Sequence, residues 1–243
     1  MLVKMGEYHD IIRSVSELWC KNHSFFCNVS NLVFENEDVY FSEWTSEDLQ
    51  NWFNTHCFND QYKFGDDLRL FPYFQNGNQL CWTINRDNLE YQVIGEFHLR
   101  DVAKCLSETT SYLIFNGYTE KVKAILNESY IINDQYNYGN GRLTLIRIID
   151  QGSSHEIYYY RDGELLQLRI NYLEYIKITY LLLGQLDWQL FYADFSTLKW
   201  AYPEDYENPM YEFIEKLNFL GQFDIRNKFV SLLELYKSQW LTK

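Results

Sequence analysis

Proline and glycine are scarce in this chain, three and eleven among 243 residues, too few to sustain long disordered or collagen-like stretches. Basic residues are also short: 21 lysines and arginines face 34 aspartates and glutamates, and the net charge of −13 repels nucleic-acid phosphate and anionic lipid alike. No nucleic-acid or membrane partner is therefore expected. The five cysteines (Cys20, Cys27, Cys57, Cys81, Cys105) are odd in number and form no CxxC pair, which argues against a disulfide framework. They read as buried free thiols of a reducing compartment. No window approaches about 18 uninterrupted apolar residues, and Met1–Asp10 lacks a basic start followed by an apolar run. The expectation is a cytoplasmic protein, neither secreted nor membrane-spanning.

Groups placed for chemistry are missing too. The five histidines (His9, His23, His56, His98, His155) lie far apart, without a zinc-site spacing inside one local element, so no metal and no cofactor is expected. His56-Cys57 comes nearest to a nucleophile pair, but adjacent side chains on a helix point about 100° apart. The glycine turns Asn76-Gly77-Asn78 and Tyr138-Gly139-Asn140-Gly141 lack the lysine and the strand-to-helix context of a phosphate loop. Asn116–Leu126 looks like the second-helix opening of an ankyrin repeat, yet no period near 33 residues accompanies it.

What the chain does hold is apolar patterning with clear punctuation. Ile11, Ile12, Val15, Leu18 and Trp19 recur at helical spacing and predict a helix over Tyr8–Asn22. Alternation over Phe25–Phe41 predicts strands around an acidic turn, Glu35-Asn36-Glu37-Asp38, and Ser46 is placed to cap a short helix. Strands are predicted at Phe64–Phe71, Leu80–Ile84 and Tyr91–Ile94, then a helix over Leu99–Phe115 ended by Gly117 and a second one capped by Thr119. In the second half, Leu143–Ile149, Ile157–Tyr160 and Leu165–Ile170 predict an antiparallel meander, with Asp162-Gly163 supplying a tight hairpin turn. Tyr159 should face one side of the sheet and Tyr158 and Tyr160 the other, as core packing or as a protein-binding face. Helices are predicted over Tyr172–Ala193, from Asn208-Pro209 to Gly221, and beyond Asp224. The fold class is α+β, antiparallel or mixed sheets with helices at both ends. It is either one compact body, 1–243, or two packed lobes, 1–127 and 142–243, joined by 128–141.

Leu70-Phe71-Pro72, the Gly77 turn, Leu80-Cys81-Trp82 and the stretch Val102–Glu108 together resemble the latter half of SUKH domains. Ser107–Ile114, Tyr172-Leu173-Glu174-Tyr175 and Leu186-Asp187-Trp188-Gln189 carry the same family's flavour. The resemblance implies a SUKH-like fold and a protein-binding role, that of bacterial immunity proteins which neutralise a cognate toxin. Charge fits that role independently. Between Asn31 and Asp67 nine carboxylates face Lys63 alone, which places eight of the thirteen net negative charges there. The expected partner is a basic protein, a toxin. The residues expected to meet it are Glu35, Glu37, Asp38, Glu43, Glu47 and Asp48, supplying the field, and Trp44, an apolar anchor. The competing reading is an enzyme whose site is assembled from scattered carboxylates or Cys57, or an ankyrin-like interaction module.

Overall fold

The computed structural model describes residues 5–39, 41, 70, 74, 77–84, 93–108, 110–135, 137, 141–149, 154–195 and 203–240. The chain is α+β, with two antiparallel sheets of three and four strands and six α-helices among the described residues. Helix α1 (Met5–Phe26) buries Val15, Trp19 and Phe26 on one stripe, and runs a full turn beyond the predicted Asn22. The side-chain amide of Asn22 donates to the Leu18 carbonyl at 2.8 Å, so this polar residue stays inside the helix.

The first sheet has the order β1 (Leu32–Asp38), β2 (Gln79–Ile84), β3 (Val93–His98). Its centre is Trp82, fully buried, which faces Gly95 across the ladder; a Cβ at Gly95 would stand 2.4 Å from the indole. Only glycine leaves room for that ring. The indole N–H donates to the Leu183 carbonyl at 2.8 Å, and Glu96 N donates to the Gly184 carbonyl at 2.8 Å. Gly184 has φ 72° and lies so close to the Glu96 backbone that a Cβ there would stand 2.6 Å from it.

The second sheet is the meander β4 (Ser129–Gln135), β5 (Arg142–Ile149), β6 (Ser154–Arg161), β7 (Glu164–Leu168). Asp162 (φ 51°) and Gly163 (φ 86°) make the β6–β7 turn, positive at both positions as a two-residue hairpin requires. Tyr159 packs in the larger core, whereas Tyr158 and Tyr160 pack on the opposite face against Ile125 and Leu126 of α3 (Glu120–Asn127). All three tyrosines are buried. The two sheets meet where Leu99 bridges Asn133, reinforced by Arg100 N donating to the Ile132 carbonyl at 3.2 Å and His98 N to Asn133 Oδ1 at 2.8 Å. Helix α4 (Tyr172–Leu181) closes the larger core with α5 (Pro203–Phe219) and α6 (Phe223–Trp240).

Several elements differ from the sequence reading. The expected acidic turn is continuous strand: β1 pairs with β2 through Asp38, and Glu35 is accommodated as a bulge between Phe34 and Asn36. The expected connection 128–141 contributes β4, whose backbone pairs with β5. The expected helix Leu99–Phe115 is split into α2 (Val102–Ser107) and a 3-10 turn, Ser111–Leu113. Between them Thr110 is buried, its N–H donating to the Ser129 carbonyl at 3.2 Å and its hydroxyl to the Leu126 carbonyl. Gly117 carries no positive φ and is not a left-handed helix end. The expected helix Tyr172–Ala193 breaks at Leu183 (φ 48°) and Gly184, then resumes as a 3-10 segment, Trp188–Tyr192. Pro209 lies inside α5 rather than at its start. Of the described cysteines Cys81 and Cys105 are buried, as expected, but Cys20 and Cys27 are exposed. The Ser46 cap, Cys57 and most of the expected strand Phe64–Phe71 lie outside the described residues.

Candidate functional site

Strand β1 is the outermost strand of its sheet among the described residues, and its last four residues, Glu35-Asn36-Glu37-Asp38, are all exposed. The bulge decides where these carboxylates point. Phe34 registers with Trp82 and Glu37 with Leu80, two residues apart on β2 and so on one face, while Asn36 registers with Cys81 on the other. Without the extra residue, Phe34 and Glu37 would alternate to opposite faces. Glu37 therefore reaches the last turn of α1, where its Oε1 lies 2.9 Å from His23 Nε2. The imidazole is stacked on Trp19 (ring centroids 5.1 Å apart, 25° between planes) and tilted against Phe34 at 5.0 Å.

One helical turn beyond His23 stands Cys27, its sulfur 3.7 Å from Nδ1 and 3.8 Å from Nε2 of that ring. The Cys27 N–H donates to the His23 carbonyl at 2.9 Å, which fixes the thiol at the carbonyl end of α1. On the opposite face of the sheet, Cys81 pairs with Glu96 across β2 and β3. Burial, followed by the nearby Glu96 and Glu35 carboxylates, pushes its thiol up to about 12, so Cys81 stays protonated. Glu96 is itself buried and accepts from Asn137 N at 2.8 Å.

A second polar cluster borders the larger core, its two arginines half-buried. Asp187, in the left-handed region at φ 70°, accepts from the Tyr159 hydroxyl at 3.2 Å and pairs with Arg142 at 3.3 Å and Arg161 at 3.7 Å. Burial pushes the Tyr159 hydroxyl well above its ordinary range and, at neighbouring α5, depresses Lys216. Two arginines around one carboxylate neutralise a charge that could not otherwise be buried there, and the cluster reads as structural.

Three of the residues expected to meet a partner, Glu35, Glu37 and Asp38, are thus gathered on one strand. Glu43, Trp44, Glu47 and Asp48 lie outside the described residues, as does Cys57. His23 and Cys27 escaped the sequence reading because the helix was expected to end at Asn22. Extended by a turn, their spacing of four places them on one face. Among the described residues no group of three or more His, Cys, Asp or Glu side chains is placed to hold a metal, and no helix is long and apolar enough to cross a membrane. Comparisons with known families, with curated proteins and with solved structures found no match.

Proposed function

We propose that this chain is a non-enzymatic binding protein that takes a basic protein partner on the β1 edge, and that the partner is a toxin which it neutralises as an immunity protein. The observation that carries the reading is the run of exposed carboxylates Glu35, Glu37 and Asp38 on a strand that is outermost among the described residues. A strand edge offers backbone hydrogen bonds to an incoming extended segment, and carboxylates beside it select a basic one. The net charge of −13 adds long-range attraction, which matters most for an antidote that must reach its target before the target acts. The resemblance to SUKH domains supplies the immunity class.

The test is binding to the product of the adjoining gene, followed as association kinetics over a salt series. Glu35→Lys with Asp38→Lys is expected to slow association about tenfold at low salt and to flatten the salt dependence, with little change in dissociation. Absence of binding, or association indifferent to the double reversal, overturns the proposal.

A further inference from the structure

We propose that Cys27 is a nucleophilic thiol whose proton passes to His23, with Glu37 as the positioning residue, and that its electrophile is a small cationic disulfide. The order of groups is carboxylate, imidazole, thiol. Glu37 Oε1 lies 2.9 Å from Nε2, so the ring directs its Nε2–H at the carboxylate and leaves the Nδ1 lone pair for the thiol proton. At 3.7 and 3.8 Å the sulfur is nearly equidistant from the two nitrogens and is not in line with the Nδ1 lone pair. It must swing toward Nδ1 to hand over its proton, and an exposed side chain has the room. The ring itself is held in place by Trp19 and Phe34.

Backbone geometry argues for disulfide exchange over acyl transfer. The N–H groups of Cys27, Asn28 and Val29 already donate to the carbonyls of His23, Phe25 and Phe26 at 2.9, 3.1 and 2.9 Å, and the Asn28 amide donates to Ser24 O at 2.7 Å. None of these three backbone N–H groups is left to stabilise an oxyanion. Exchange between sulfurs needs none. Cys27 Sγ bonds to one sulfur of the disulfide as its proton moves to Nδ1, and the S–S bond breaks. The second sulfur leaves with the bonding pair and takes the proton from His23. The products are a mixed disulfide at Cys27 and one free thiol. The exposed Glu35 and Asp38 beside Glu37, within a chain of net charge −13, favour a cationic disulfide over an anionic one. The inference does not depend on partner docking: Glu35, Glu37 and Asp38 are common to both, but the docking variants leave Glu37, His23 and Cys27 in place.

Cys20, exposed on α1 itself, is a control built into the molecule. The full chain is exposed briefly to cystamine or to oxidised glutathione, and each cysteine peptide is quantified by mass spectrometry. Cys27 is expected to form the mixed disulfide with cystamine about tenfold faster than Cys20. His23→Gln should bring Cys27 to the Cys20 rate without moving Cys20 itself, and Glu37→Gln should give an intermediate rate. Cystamine is expected to outpace oxidised glutathione at Cys27 about fivefold more at low salt than at high salt. Equal wild-type rates at the two cysteines, or an advantage that survives His23→Gln, overturns the nucleophile; a disulfide preference untouched by salt overturns the charge selection.

Discussion

At the scale of single residues, Gly95 is the position where chemistry and packing leave least freedom. Its missing side chain is what lets the Trp82 indole lie flat across β3, with contacts that a methyl group would bring to 2.4 Å. Trp82 is anchored by its N–H to Leu183, so the ring cannot retreat without giving up that bond. Gly95→Ala is therefore expected to cost about 3 kcal/mol, read as a lower urea midpoint with unchanged slope. Gly117→Ala is the contrast: nothing lies within 4 Å of the new Cβ and the backbone has no positive φ. That change should be neutral or stabilise by up to about 0.5 kcal/mol through the unfolded chain. Equal losses at both sites would show that Trp82 relaxes freely.

Among the elements, α4 shows how much a few local bonds decide. Asn171 accepts from Glu174 N at 2.8 Å while the Glu174 carboxylate accepts from Asn171 N at 2.9 Å, a reciprocal cap. Asn171→Ala should cost about 1 kcal/mol in denaturant unfolding, and a loss below about 0.3 kcal/mol would mean tertiary packing alone holds the helix start. Local chemistry of this kind was also what the sequence made legible. The Asp162-Gly163 turn, the Thr119 cap and the alternation of Tyr158, Tyr159 and Tyr160 each follow from a residue and its immediate neighbours. The missed features depend on distant partners. The break at Leu183-Gly184 is set by contact with Glu96, nearly ninety residues earlier. Thr110 interrupts its helix because Leu126 and Ser129 hold it. The bulge at Glu35, which turns Glu37 toward His23, is dictated by register with β2 across a long intervening segment. The sequence thus showed the acids of β1 as one run, read as a turn where the chain makes a strand, and showed neither the imidazole nor the thiol beside them.

For the molecule as a whole, the joint between the sheets carries an acid sensitivity. His98 contributes its N–H to Asn133 at this joint, and burial lowers its ring below the ordinary 6.5, against the pull of Asp134 and with the help of Arg100 and Lys104. The unfolded chain then binds the proton more readily than the folded one. Stability from this group is complete above about 6.5 and is lost as pH falls through the folded value. The urea midpoint is expected to fall between about pH 7.5 and pH 5, and less steeply in His98→Gln; parallel profiles would assign the acid loss elsewhere. The bond from Trp82 to Leu183, finally, sets a schedule. Its partners are 101 residues apart. During synthesis at about 5–20 residues per second, the acceptor emerges some 5–20 s after the indole. For that interval the first three strands lack their lid, and the nascent chain presents an uncovered tryptophan of the kind that chaperones at the ribosome exit are built to hold.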